Sequence, residues 1–165
     1  MNDAVTFEAR SAEAGARAFY EESFRSAAYA SARSARQDRE LRAFVNALPD
    51  ASRRTLEVGC GRGAYQDLVD DWVGVDIARS CAAYIRKPFV VGSGAALPFA
   101  DDTFDVIWSL NALEHIPEPE QALSEMRRVA RSGGRIHLSP AWQVRPWAAR
   151  GCAVRGHRQL DWRGR

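Results

Sequence analysis

Residues 55–63 read Thr55-Leu56-Glu57-Val58-Gly59-Cys60-Gly61-Arg62-Gly63: a short apolar run with an acid inside it, then glycines at alternate positions. A β-prone run bounded by glycine predicts a strand that ends in a tight turn. Alternate glycines let the backbone turn sharply and approach a ligand with no Cβ in the way. A helix over residues 64–69 would add free N–H groups and the positive end of its dipole. Such a loop suits a carboxylate or a phosphate. The dinucleotide fingerprint is spaced GxGxxG, whereas here the third glycine comes one residue sooner, giving GxGxG behind Glu57.

Working outward, short apolar runs alternate with helical stretches. Strands are predicted at Trp72 to Val75, Phe89 to Val91, Phe104 to Ser109 and Arg135 to Leu138. Helices are predicted over Arg79 to Arg86 and over Glu118 to Arg131, the latter ended by Gly133-Gly134. Glu118 and Glu120 would then lie in the first turn of that helix and suit its dipole. Alternating β and α units imply an α/β fold, a mostly parallel sheet of about five strands, doubly wound by right-handed crossovers. Asp76 closes the second strand, in Val73-Gly74-Val75-Asp76. A carboxylate there faces the crevice at the carboxyl ends of the strands and suits both hydroxyls of a ribose.

Before the first strand, Ala and Arg dominate residues 9–36, with Phe19, Tyr20, Phe24 and Tyr29 at roughly helical intervals. Ser34 and Gln37 have the spacing of a capping box, and Leu41, Phe44, Val45 and Leu48 recur at i, i+3, i+4, i+7. That predicts an amphipathic helix stopped by Pro49 and Asp50. Tyr20, Phe24 and Tyr29 either form a lid over the crevice or pack as an ordinary helix face.

The motifs Glu57 to Gly63, Gly74-Val75-Asp76, Ala96-Leu97-Pro98-Phe99, Phe104-Asp105-Val106-Ile107, Leu113-Glu114-His115-Ile116 and Arg131-Ser132-Gly133-Gly134-Arg135 follow one another. In that order they resemble the type-11 class I S-adenosylmethionine-dependent methyltransferases, over roughly residues 54–139. The resemblance implies a Rossmann-like domain over residues 51–139, preceded by a helical lid segment over residues 1–50. It implies S-adenosylmethionine as cofactor, its methionine part on Glu57, Gly59, Cys60, Gly61 and Gly63 and its ribose on Asp76. Ile77, Ser93, Ala95 and Asn111 complete the expected cofactor set. Family members usually place an acid shortly before the Ala-Leu-Pro-Phe stretch to take the adenine amino group. Here that neighbourhood reads Gly92-Ser93-Gly94-Ala95. Ser93 either accepts a neutral hydrogen bond in the acid's place or only shapes the turn.

Methyl transfer needs alignment more than side-chain chemistry, with a base only where the acceptor must lose a proton. His115, just past the fourth strand, is the candidate base, or else a packing residue of its loop. Cys60 reads as a small filler within the glycine loop, not a nucleophile. The acceptor is expected to be a small molecule; a catalytically silent cofactor-binding or interaction protein is the alternative. A nicotinamide-dependent oxidoreductase is a weaker one, against which the GxGxG spacing speaks.

The remaining composition bounds the partners. Of the 23 basic residues only Lys87 is a lysine, so the ten Arg of residues 127–165, set against the single acid Asp161, read as an arginine-rich composition and not as a nucleic-acid interface. Nowhere do 18 apolar residues follow one another, and Cys60, Cys81 and Cys152 show no metal or redox spacing, so no membrane span and a cytoplasmic home are expected. The family fold continues past its fifth strand with a helix and an antiparallel strand pair. After Ser139 this sequence has an Arg/Trp-rich tail, residues 140–165, with no evident strand pair. Missing distal strands are therefore expected, with the fifth strand left as an open edge. The tail, through Trp142, Trp147 and Trp162, or a second copy of the chain in a homodimer would cover that edge. The outcome favoured is an incompletely closed pocket, with turnover weak or absent and cofactor binding partly retained.

Overall fold

The computed structural model describes residues 2–29, 34–48 and 53–141, with side chains from Ser11 onward. The expectations for Pro49, Asp50, Trp142, Trp147, Trp162 and Cys152 fall outside these residues. Two helices, α1 (Asn2–Arg25) and α2 (Ala35–Asn46), precede a sheet of five strands: β1 (Thr55–Val58), β2 (Trp72–Asp76), β3 (Phe89–Val91), β4 (Phe104–Leu110) and β5 (Ala130–Ser139). Helix α3 (Pro119–Val129) joins the last two. The strand order is β3-β2-β1-β4-β5 and every neighbouring pair is parallel. This is the Rossmann-like, doubly wound arrangement that the alternation of apolar runs implies.

Side chains alternate between the two faces of the sheet and so build two cores. On one face Leu56, Val58, Val73, Val75 and Ile107 pack against Ala122, Met126 and Val129 of α3. On the other, Trp72, Val106, Trp108 and Leu110 pack against Leu41 and Leu48. Leu41 is the fully buried anchor of α2. That helix begins with the capping box expected: Gln37 N–H donates to Ser34 Oγ at 3.1 Å, and Ser34 N–H donates to Gln37 Oε1 at 3.3 Å.

Three local expectations are corrected. Residues 64–69 form no helix; successive four-residue turns, closed by bonds such as Gln66 N–H to Gly63 C=O and Leu68 N–H to Tyr65 C=O, carry the chain from β1 to β2. A parallel crossover needs a dozen or so residues, and Gly59 to Asp71 barely supplies them once the glycine loop is made. The stretch after β2 winds as a 3₁₀ helix, Arg79–Tyr84, not an α-helix. Gly133 and Gly134 do not end α3. The helix passes at Ala130 into extended backbone, and both glycines lie inside β5, where the register with β4 shifts between Phe104 and Val106. Gly133 has a φ of +77°, and a Cβ on Gly134 would stand 2.8 Å from Arg131 O, so the pair makes a bulge. Glu118 is the N-cap of α3, without a side-chain cap bond, and Glu120 lies in its first turn.

Because Leu41 is what seats α2 on the sheet, Leu41→Ala is expected to lower stability by about 2–5 kcal/mol. Urea unfolding followed by far-UV circular dichroism measures this; a change near zero would mean that α2 docks by other means.

Candidate functional site

The parallel register brings the carboxyl ends of the strands to one edge: Val58 pairs with Val75, Asp76 with Val91, and Leu110 with Ser139. A cavity of about 950 Å³ opens above this edge, its floor formed by the glycine loop and its far wall by α1 and the start of α2. That size falls within the range of small-molecule sites.

The loop after β1 is held by backbone bonds. Gly59 and Cys60 N–H donate to Val75 C=O at 2.9 and 3.1 Å. Gly59 has a φ of +73°, and a Cβ there would meet that of Ala112 at 2.2 Å, so only glycine lets the loop lie against β4's exit. Gly61, at φ +50°, donates its N–H to Asp76 Oδ2 at 2.8 Å. Asp76 Oδ1 accepts from Ala78 N–H at 3.0 Å. Burial, with Asp76 only 7% exposed, pushes its carboxyl above the ordinary carboxylate range, and the N–H donors of Ala78 and Gly61 oppose that rise. The Cys81 thiol bonds to the same carboxylate and is pushed well up by burial and by that charge. Cys60 is buried, its thiol raised by desolvation, and its Sγ fills the space beside Gly74 that a Cβ would need. It is packing material, as its small size suggests. Glu57 is buried beneath the loop, where Oε2 accepts from Trp72 Nε1 at 2.9 Å.

Of the expected set, Glu57, Gly59, Cys60, Gly61, Asp76, Ile77, Ser93 and Asn111 share the wall of this one cavity, with His115. Gly63 and Ala95 do not line it: Gly63 turns toward Ile85, and Ala95 N–H donates to Ser93 Oγ at 3.3 Å. Asn111 stands at φ +50°, exchanging hydrogen bonds with Gln37 at 2.6 and 3.2 Å. His115 packs edge-on to Tyr20, ring centroids 5.8 Å apart, and its Nε2 lies 3.8 Å from Glu114 Oε1. Among the described residues, no group of three or more potential ligands has a metal-site arrangement.

Sequence reasoning missed how tightly α1 is tied to the loops. Tyr20, Phe24 and Tyr29 line the cavity and also pack on one another, Phe24 and Tyr29 edge-to-face at 4.8 Å, so the two readings of these residues are not exclusive. Arg62, inside the glycine loop, donates to Phe24 C=O at 2.8 Å and Ser26 C=O at 2.5 Å, and lies over the Tyr84 ring at 4.1 Å. Glu21 accepts from Arg79 and Ser80 N–H at 2.7 and 3.0 Å, capping the 3₁₀ helix, and these bonds hold its carboxyl below the ordinary range. Arg17 donates to Ile77 C=O at 3.0 Å, and Glu13 Oε2 accepts from Ser93 Oγ at 3.2 Å. Nothing in helical periodicity marks these four residues, because their hydrogen-bond partners are 33 to 80 positions away.

Residues 56–138 match the model of the methyltransferase domain family. An uncharacterized methyltransferase of Mycobacterium tuberculosis is 39% identical over 102 residues, covering 55% of this chain and 40% of the relative. The chain thus spans about two fifths of the length of the curated relatives it matches. Two solved structures are similar at a TM-score of 0.52 to 0.53. One is a Thermotoga maritima protein described as a SAM-dependent methyltransferase and possible histamine N-methyltransferase, at 28% identity, covering 60% of this chain and 48% of that one. The other is the [4+2]-cyclase SpnF, at 25% identity, covering 60% and 43%.

Arg62→Ala removes charge-assisted bonds to the chain leaving α1. Amide exchange over residues 26–29 is expected to quicken at least about tenfold while the strand amides keep their protection. Hydrogen exchange read by mass spectrometry checks this, and unchanged exchange there would mean that Arg62 does not hold the segment.

Proposed function

The chain belongs to the methyltransferase domain family, and from that premise we propose that it binds S-adenosylmethionine in the cavity over β1, β2 and β4 and transfers a methyl group to a small-molecule acceptor. The observation that carries this reading is the junction of Gly61 N–H with the Asp76 carboxylate inside a cavity of suitable size. It sets a glycine cradle for an amino-acid moiety beside an acceptor for two vicinal hydroxyls. The N–H partners of Asp76 at Gly61 and Ala78 stay in place. Asp76 itself lines the cavity, and its carboxylate oxygens have lone pairs beyond those taken by these donors, so it would hold the ribose hydroxyls.

When bound, S-adenosylmethionine supplies a methyl group on an already activated sulfonium. The chain's part is alignment and exclusion of water. The loop from Glu57 to Gly63 orients the donor, and residues of α1 act as the lid, with Tyr20 and Phe24 shielding the cavity. His115, beside Glu114, accepts a proton from acceptors that must lose one. A second reading, cofactor binding without methyl transfer, has one observation in its favour: a protein of like fold is named a [4+2]-cyclase. Among the described residues β5 is an edge strand with Ile136 and Leu138 each 38% exposed, and a homodimer would pair there. No described helix is long and apolar enough to cross a membrane.

Calorimetry is expected to give binding of S-adenosylhomocysteine and none of NAD. Asp76→Ala should weaken S-adenosylhomocysteine by about 1.5–3 kcal/mol, the worth of hydrogen bonds to a charged group. A loss within error would sink the ribose assignment. Gly61→Val, which puts a branched side chain at positive φ against Phe24, should abolish binding while far-UV circular dichroism stays near wild type. A methyl-transfer assay over a broad acceptor panel, run with sedimentation, separates transfer from silent binding and a monomer from a dimer.

A further inference from the structure

Beyond Asp76 the cavity continues over the end of β3. Its wall there is the bare backbone of Gly92 and Gly94, the side chains of Ile77 and Ile116, and two polar groups, Ser93 and Glu13. Gly94 lies so close to Ile116 that a Cβ on it would stand 2.7 Å from Cδ1, so no side chain can intervene between the backbone and that apolar surface. Backbone planes and branched aliphatic groups suit the face of a flat ring. The carboxylate belongs to α1, not to the sheet: Glu13 reaches Ser93 Oγ at 3.2 Å across a sequence separation of 80. Its side chain is one-third exposed, and Arg17 Nη2 lies 3.7 Å from its other oxygen. Arg17 also bonds Ile77 C=O, which fixes this part of α1 over the end of β2.

A nucleoside whose sugar rests on Asp76 must put its base to one side or the other. The glycine loop of β1 occupies one side, so the base would extend toward β3, the strand on the other side of β2. An ionised carboxylate only accepts hydrogen bonds, and the exocyclic amino group of a 6-aminopurine only donates them. We propose that Glu13 of α1 is the residue that selects a 6-amino over a 6-oxo purine in the ligand of this cavity, so that the helix before the sheet carries part of the base specificity. This rests on the cofactor reading above and names the group that distinguishes its base. With a 6-oxo purine, the exocyclic oxygen faces the carboxylate, two acceptors meet, and Glu13 gains no hydrogen bond from the 6-position.

The test is calorimetry on the full chain with S-adenosylhomocysteine and S-inosylhomocysteine, which differ at the purine 6-position and in the proton that the inosyl base carries on N1. The wild-type chain is expected to favour the amino compound at least about tenfold, the effect of one charge-assisted hydrogen bond. In Glu13→Gln the amide can turn to donate, so S-adenosylhomocysteine should weaken about tenfold, the inosyl compound should hold or tighten, and the ratio should collapse toward one. Equal wild-type affinity for the two compounds overturns the proposal whatever the variant does, as does an unchanged ratio in Glu13→Gln. Binding of neither compound by the wild-type chain overturns the cofactor reading itself, a different outcome from the loss of selectivity.

Discussion

The 2.8 Å hydrogen bond from Gly61 N–H to Asp76 Oδ2 joins the two loops on which the cavity depends. The bonds from Gly59 and Cys60 N–H to Val75 C=O already tie the start of the glycine turn to β2, and this one carries the tie out to the carboxylate that ends the strand. With it they form one rim, because Ala78 N–H holds the other carboxylate oxygen and so orients the group from both sides. The parallel register makes this possible. Val58 lies opposite Val75, so the first glycines and the last residue of β2 leave the sheet at the same height. Burying a carboxylate there is costly, and the burden is met by donors fixed in the backbone instead of by a cation.

The wall facing that rim is of another kind. Among the described side chains, the buried aromatic of α1, Phe24, shares a small cluster with Ala78 and Cys81, against which Phe89 of β3 packs. What seats the helix are polar side chains bonded to backbone groups: Arg62 of the β1 loop on the carbonyls of Phe24 and Ser26, and from α1 Glu21 on the amides of Arg79 and Ser80 and Arg17 on Ile77 C=O. An element held this way can detach locally at a lower cost than a core helix such as α3, whose Met126 and Val129 are fully buried.

Features that follow from local pattern are legible in the sequence. Thr55–Val58 and Phe89–Val91 form strands at the places where the apolar runs stand, and Ser34 and Gln37 cap α2 as their spacing requires. Asp76 and Gly61 meet as the order of strands implies. What depends on the space left between elements is not legible. Residues 64–69 have helix-forming composition, yet the short crossover gives them only turns. Gly133-Gly134 has the signature of a helix stop and instead makes a bulge, because Ala130 already pairs with Phe104. Likewise no acid stands in the residues just before the Ala-Leu-Pro-Phe motif, and the carboxylate beside Ser93 comes from Glu13, 80 residues upstream. Distance in sequence, not weakness of signal, hides it.

Arg62 grips the start of the chain leaving α1 through main-chain oxygens, those of Phe24 and Ser26, before it meets the Tyr29 ring farther on. Carbonyls are the same whatever side chain they accompany. Residues 25–28 can therefore drift freely among relatives so long as the backbone path is kept, whereas the arginine has no equivalent replacement, since lysine lacks its planar fork. An evolutionary record of this region should accordingly look lopsided: a variable stretch facing an invariant cation, with the shape of the connection inherited and its spelling not.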